Sequence, residues 1–211
     1  VQKDLVEKIT SRYPEDRIFA EEDGLRSPIS EGSVWVIDPI DGTNNFVTQK
    51  EDFAVMVAYF EDGIGQFGLI YDVMRDHLFY GGGEFLVYRN EVELTPFVDQ
   101  PLENLLIASN VGMLEKNDWG MADLGMDSLG IRVYGSAGIS FSKILSGGIL
   151  AYFSYIWPWD YAAAAIMGEQ LGYTVLNLNG DKPNYQSVEP IMMVPKVKLT
   201  EIQTYLKKGR S

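Results

Sequence analysis

Hydrophobic positions change period along the chain. Val1, Leu5, Val6, Ile9 and Tyr13 recur at helical spacing and stop before Pro14, which predicts an opening amphipathic helix. No capping residue precedes it, so the natural protein is expected to begin upstream of Val1. Residues 17–20 and 34–37 are short β-branched and aromatic runs that read as strands, the second ending at Pro39, where ladder pairing is expected to stop. Residues 52–59 and 64–73 flank Asp62-Gly63, a hairpin signal, and residues 78–80 and 85–89 continue the meander. Gly81-Gly82-Gly83 lacks the ending of a phosphate loop and reads as a flexible turn.

From Pro101 the pattern alternates. Strands are predicted at 105–108, 131–134, 150–156, 173–178 and 191–194, with helices at 119–129, 137–145, 161–170 and 200–207. Ser136 is placed as the N-cap of the second of these helices. Mixed layers of helix and sheet point to an α/β (α+β) sandwich. Residues 1–100 are expected to supply a helix and a largely antiparallel sheet, and 101–211 an α/β half, together one compact catalytic unit.

Acidic residues gather where apolar runs end. Residues 17–20 lead into Glu21-Glu22-Asp23, and residues 34–37 lead into Asp38-Pro39-Ile40-Asp41-Gly42-Thr43. Asp160 opens the Ala-rich helix after Trp157-Pro158-Trp159. Singly these have plain readings: Asp41-Gly42 as a surface turn, Glu21 and Glu22 as a solvated strand end, Thr43 as a turn hydroxyl, Asp160 and Ser136 as helix caps. Together they suggest a shared metal site, since crowded carboxylates repel unless a hard cation lies between them. Gly42 and Thr43 add backbone N–H groups able to cradle a phosphate.

Composition narrows the chemistry. The 211 residues are 46% apolar, enough for a substantial core. The net charge of −13 argues against nucleic acid or an anionic membrane as partner, and an anionic substrate would need metal ions to enter. There is no cysteine, which excludes thiolate chemistry, and the one histidine, His77, gives histidine-based catalysis little to build on. No signal-peptide pattern opens the chain, and no apolar run reaches the roughly 20 residues of a membrane span. Cytoplasmic location is the expectation.

The chain resembles the inositol monophosphatase family of magnesium-dependent, lithium-sensitive phosphatases. The resemblance rests on Ala20-Glu21-Glu22, on 35–46 with its Asp-Pro-Ile-Asp-Gly-Thr core, on Gly135-Ser136-Ala137, and on Trp159-Asp160-Tyr161-Ala162-Ala163 followed by Glu169 and Gly172. It implies a layered α/β/α/β/α sandwich, a homodimer, and two or three Mg²⁺ ions. Glu21, Asp38 and the Ile40 carbonyl would hold the first ion, and Asp38, Asp41 and Asp160 the second. Glu21 and Thr43, with Asp41, would serve catalysis; Gly42 and Thr43 would grip the phosphate of a small phosphorylated metabolite, most simply inositol monophosphate. Ser136 and Ala137 match residues that contact the substrate beyond its phosphate. The family's aspartate that bonds the catalytic threonine, and a mobile loop of a third metal site, fall before Val1. Its ring-contacting glutamate has Ser154 as nearest counterpart.

Three rivals remain. A haloacid-dehalogenase-type phosphatase also ends a strand in Asp, Asp, Gly and Thr, but with its aspartates two apart, not three with Pro39 between. NADP 2′-phosphate, fructose 1,6-bisphosphate and 3′-phosphoadenosine 5′-phosphate are alternative substrates in the same superfamily. A non-catalytic regulatory protein on this fold is the third.

Overall fold

Strand pairing divides the chain into two sheets. The computed structural model describes residues 1–22 and 24–208; Asp23, grouped by sequence with Glu21 and Glu22, lies outside the described residues. Helix α1 (Gln2–Arg12) leads into β1 (Arg17–Ala20) and β2 (Ser33–Asp41), and a short helix α2 (Thr43–Thr48) follows at once. Strands β3 (Ala54–Glu61), β4 (Ile64–Asp72), β5 (His77–Gly82), β6 (Phe85–Arg89) and β7 (Val92–Glu93) complete a sheet in sequence order. All its pairings are antiparallel except β1 with β2.

The second sheet has the order β11-β12-β10-β8-β9. It is built from β8 (Leu106–Ser109), β9 (Gly130–Arg132), β10 (Ala151–Ile156), β11 (Tyr173–Asn177) and β12 (Glu189–Pro195). Helices α3 (Val111–Glu115), α4 (Met121–Asp127) and α7 (Leu199–Lys208) bury Met113, Met121, Leu124, Ile202 and Leu206 against Ile107, Phe153, Met192 and Val194. Helices α5 (Ala137–Leu145) and α6 (Pro158–Gln170) lie between the sheets, where Phe141, Ile144, Tyr161 and Met167 join Val36, Met56, Ile70 and Phe79 in the larger core. Leu5, Val6 and Ile9 of α1 pack on Ile18, Ala20 and Ile37 from the other side. The layers therefore run α/β/α/β/α.

Three local expectations are corrected. Strand β2 does not end at Pro39: it pairs with β3 from Ser33 to Asp38, slips, and pairs again at Asp41 with Ala54. The proline's missing N–H falls inside this β-bulge, where no ladder partner is needed. The helix expected over 119–129 begins only at Met121, because Trp119 (φ 59°) and Gly120 (φ 69°) are left-handed and cannot continue a helix. Of the glycine run at 81–83, only Gly83 lies in a turn. Gly81 and Gly82 belong to β5, and a Cβ on Gly82 would stand 2.7 Å from the carbonyl oxygen of Ile166 in α6.

The same close approach recurs at Gly68 in β4, where an added Cβ would meet the carbonyl oxygen of Ala163 at 2.3 Å. Backbone on both sides leaves nothing flexible to give way. Gly68→Ala is expected to destabilise the protein by about 2–3 kcal/mol, seen as a lower urea midpoint at unchanged slope. A change below about 0.5 kcal/mol, the range of neutral surface substitutions, would show that α6 does not seat on β4 this closely.

Candidate metal centre and active site

Parallel pairing of β1 with β2 sets Ala20 opposite Ile37, so the next residues, Glu21 and Asp38, emerge side by side, and the Glu21 N–H donates to the Ile37 carbonyl at 3.3 Å. On a regular strand Asp38 and Asp41 would face opposite sides of the sheet, being an odd number of residues apart. The bulge inserts one residue between them and turns both carboxylates to one side. Asp160 enters from α6, where Pro158 fits the first turn and the Asp160 carboxylate accepts the Trp157 N–H at 2.7 Å. It caps its helix and also faces the two strand aspartates. Carboxylate oxygens of Asp38, Asp41 and Asp160 all lie within 4.8 Å of one another. Glu21 stands at the exposed edge, hydrogen-bonded to Asp38.

Asp41 has the most complete set of donors. It accepts the Ser136 hydroxyl, the Ala137 N–H at 3.0 Å and the Gly138 N–H at 2.8 Å, all at the start of α5. Ser136 also accepts the Ile139 N–H at 3.1 Å, the N-cap bond expected of it. The polar groups of Ser136 and Ala137 are thus directed at Asp41. Gly42 turns the corner from β2 into α2 at φ 82°, and a Cβ there would press on the Ser136 Cβ at 2.9 Å. Thr43 is exposed and donates its hydroxyl to the Ile40 carbonyl at 3.0 Å. The Ile40 N–H donates to Asp38 at 3.1 Å.

Two supporting residues escaped the sequence reading. Asn45 is buried in α2, and its amide donates to the carbonyls of Asp52 at 2.9 Å and Tyr134 at 2.7 Å, tying the motif loop to the turn before α5. Nothing local marks it as buried. Tyr152 in β10 bonds to Ser140 and Ser154 and lies within the field of Asp41 and Asp160; burial raises its pKa. Alternation along β10 could have paired it with Ser154 on one face. Ser154 accepts the Asn110 amide at 3.2 Å.

Burial and mutual repulsion dominate the electrostatics. Desolvation, then Asp41, Asp160 and Glu21, push Asp38 up to about 11. Asp160 rises to about 7, from desolvation and then Asp41. Desolvation raises Asp41 against the opposing pull of Ser136, Gly138 and Ala137. Glu21 is raised by desolvation, Glu22 and Asp41. Asp38 and Asp160 are hydrogen-bonded to each other. Among the described residues no salt bridge involves Asp38, Asp41 or Asp160. An all-oxygen donor set without a compensating cation suits a hard divalent ion such as Mg²⁺.

An acid whose folded pKa is raised keeps a proton that the unfolded chain has lost. Stability without metal should therefore be present below about pH 4 and fall as pH rises through about 7 for Asp160 and onward toward 11 for Asp38. Asp38→Asn removes one such burden. It is expected to raise the metal-free Tm at pH 8 by on the order of 5 °C and to shrink the further rise produced by Mg²⁺. A lower metal-free Tm for this variant would show that the carboxyl is not strained.

Comparison with known proteins gives the chain's relatives. The model of the inositol monophosphatase family matches residues 1–209. The chain is 36% identical to the inositol-1-monophosphatase of Bacillus subtilis over 186 residues, covering 85% of this chain and 70% of that one. It is 28% identical to the putative Nus factor SuhB of Neisseria meningitidis serogroup B, covering 92% and 76%. Among solved structures, staphylococcal IMPase-II superposes with a TM-score of 0.91 at 31% identity, over 98% of this chain and 80% of that one. SaIMPase-II bound to inositol monophosphate matches at 0.90 and bound to 2′AMP at 0.92, both 30% identical, over 98% of this chain and 82% of theirs.

Proposed function

The chain belongs to the inositol monophosphatase family, and on that premise we propose that it hydrolyses a small phosphate monoester, foremost inositol monophosphate, with Mg²⁺. The observation that carries this reading is the group of three aspartates within 4.8 Å, beside the Gly42-Thr43 corner and in no salt bridge among the described residues. Glu21, Asp38 and the Ile40 carbonyl would hold one ion, and Asp38, Asp41 and Asp160 a second, with room in the family pattern for a third. Bound there, magnesium supplies positive charge to a phosphate and acidity to a water. Glu21 accepts the proton of the attacking water while Thr43 orients it, and the water adds to phosphorus in line as the ester P–O bond breaks and the departing alkoxide takes a proton from solvent to leave as the alcohol. No phosphoenzyme forms.

The N–H groups of Gly42 and Thr43 bind phosphate oxygens. Ser136 and Ala137 act at the substrate by way of Asp41, whose carboxylate they hold in place. Residues 1–100 and 101–211 serve as one unit in this scheme, because Asp160 comes from the second half and the other acids from the first. Cytoplasmic location and a homodimer belong to the same reading; among the described residues no helix is long and apolar enough to cross a membrane.

The substrate assignment draws on the relatives: the Bacillus protein is named for inositol 1-phosphate, and SaIMPase-II binds inositol monophosphate and 2′AMP. NADP, fructose 1,6-bisphosphate and 3′-phosphoadenosine 5′-phosphate are the alternatives. The likeness to SuhB favours a second reading, a regulatory role on this fold, against which the net charge of −13 disfavours direct contact with RNA.

Phosphate release from inositol 1-phosphate, 2′AMP, NADP, fructose 1,6-bisphosphate and 3′-phosphoadenosine 5′-phosphate tests the proposal. Turnover is expected only with Mg²⁺, fastest on inositol 1-phosphate, and about 100-fold slower or worse in Asp38→Asn. Hydrolysis of none of these esters would favour the regulatory reading.

A further inference from the structure

Arg26 follows the segment that carries Glu21, and it is the basic side chain whose charge acts on Glu21. Among the described residues its guanidinium pairs with no carboxylate. One nitrogen, Nη1, donates to the Leu25 carbonyl at 3.0 Å and to the Ala20 carbonyl, and Nη2 donates to the Glu21 carbonyl at 3.2 Å. The guanidinium carbon also lies over aromatic rings: 4.5 Å from the centre of Trp159, and 5.8 Å from both Trp157 and Phe19.

These contacts bridge two elements. Ala20 and Glu21 are the end of β1, while Trp157 and Trp159 are the first turn of α6, next to Asp160. Trp159 meets Phe19 edge-on at 5.5 Å and stacks on Trp157 at 4.8 Å with the planes 9° apart. If the guanidinium and Trp157 covered opposite faces of Trp159, they would stand much farther apart than the 5.8 Å observed. They lie side by side on it. The arginine therefore spans from the carbonyls of the Glu21 segment to the indoles of the Asp160 segment.

We propose that Arg26 is a positioning residue that holds Glu21 and Asp160 at the separation cation binding requires, a role that rests on the phosphatase reading above. Two features of its chemistry support this. A guanidinium bonded to Glu21 or Asp160 would compete with a metal for those oxygens, whereas one committed to carbonyls leaves them free. Its planar fork can bond several carbonyl groups while its flat face remains available to a ring, which the compact ammonium of lysine cannot reproduce.

The test uses Arg26→Gln and Arg26→Lys in the full chain, each checked for a wild-type-like far-UV spectrum and cooperative melting. Affinity is read without turnover from Tb³⁺, a hard oxygen-seeking ion, by luminescence sensitised through the tryptophans at the site. Arg26→Gln is expected to raise the Kd for Tb³⁺ and the half-saturating Mg²⁺ each about 10-fold, with Arg26→Lys between it and the wild type. At saturating Mg²⁺, kcat and the KM for inositol 1-phosphate should stay within about 3-fold of wild type. An unchanged Kd in folded Arg26→Gln overturns the proposal. So does a raised substrate KM with unchanged Kd, which would assign Arg26 to substrate contact. A wild type that binds Tb³⁺ but hydrolyses no ester would defeat the phosphatase reading, while the Kd series would still decide the role of Arg26.

Discussion

Bringing buried carboxylates together against their own repulsion is the constraint on which the rest of this structure depends. Each loses its hydration and gains like-charged neighbours, which raises the pKa of Asp38, Asp41 and Asp160 alike. The fold forces the meeting by three separate devices. Parallel pairing aligns β1 with β2, a bulge turns Asp41 to the side of Asp38, and α6 begins where its first turn can present Asp160. Removing any one would scatter the cluster.

The energy that opposes this repulsion lies in the packed layer behind the site. Helix α6 is almost featureless in its sequence pattern because both its sides are covered, by the first sheet and by β11. Tyr161, Ala162, Ala163 and Met167 are buried along it, and Gly68 and Gly82 let the first sheet come close enough to touch its backbone. The small residues of the Ala-rich segment thus control how near Asp160 can come to the strand ends. The first turn of α5 serves Asp41 in another way, by supplying two backbone N–H groups and a hydroxyl that favour its charged form.

Much of the site was legible because its residues sit at the ends of strongly patterned runs. Residues 17–20 and 34–37 each read as a strand, so the acids after them had to lie where the backbone leaves a sheet. Ser136 was legible as an N-cap from the helical pattern beyond it. Pro39 misled, because a proline argues for the end of pairing and cannot reveal that the partner strand tolerates a bulge. Gly82 misled for a related reason: flexibility and close packing both call for the absence of a side chain, and only the neighbour at Ile166 distinguishes them.

The sequence by itself determined the local periods, the acidic strand ends, the lack of thiol and the near lack of imidazole, and hence an oxygen-ligand chemistry. Only the tertiary structure decided which polar groups meet. Ser136 reaches Asp41 across 95 positions, and Asn45 reaches Tyr134 across 89. Arg26 finds the rings of Trp157 and Trp159 from the far side of the chain. Periodicity is a property of neighbours within a few turns and can be read locally. The pairing of distant side chains depends on how whole layers stack, and that is set by the sum of all the buried contacts rather than by any one segment.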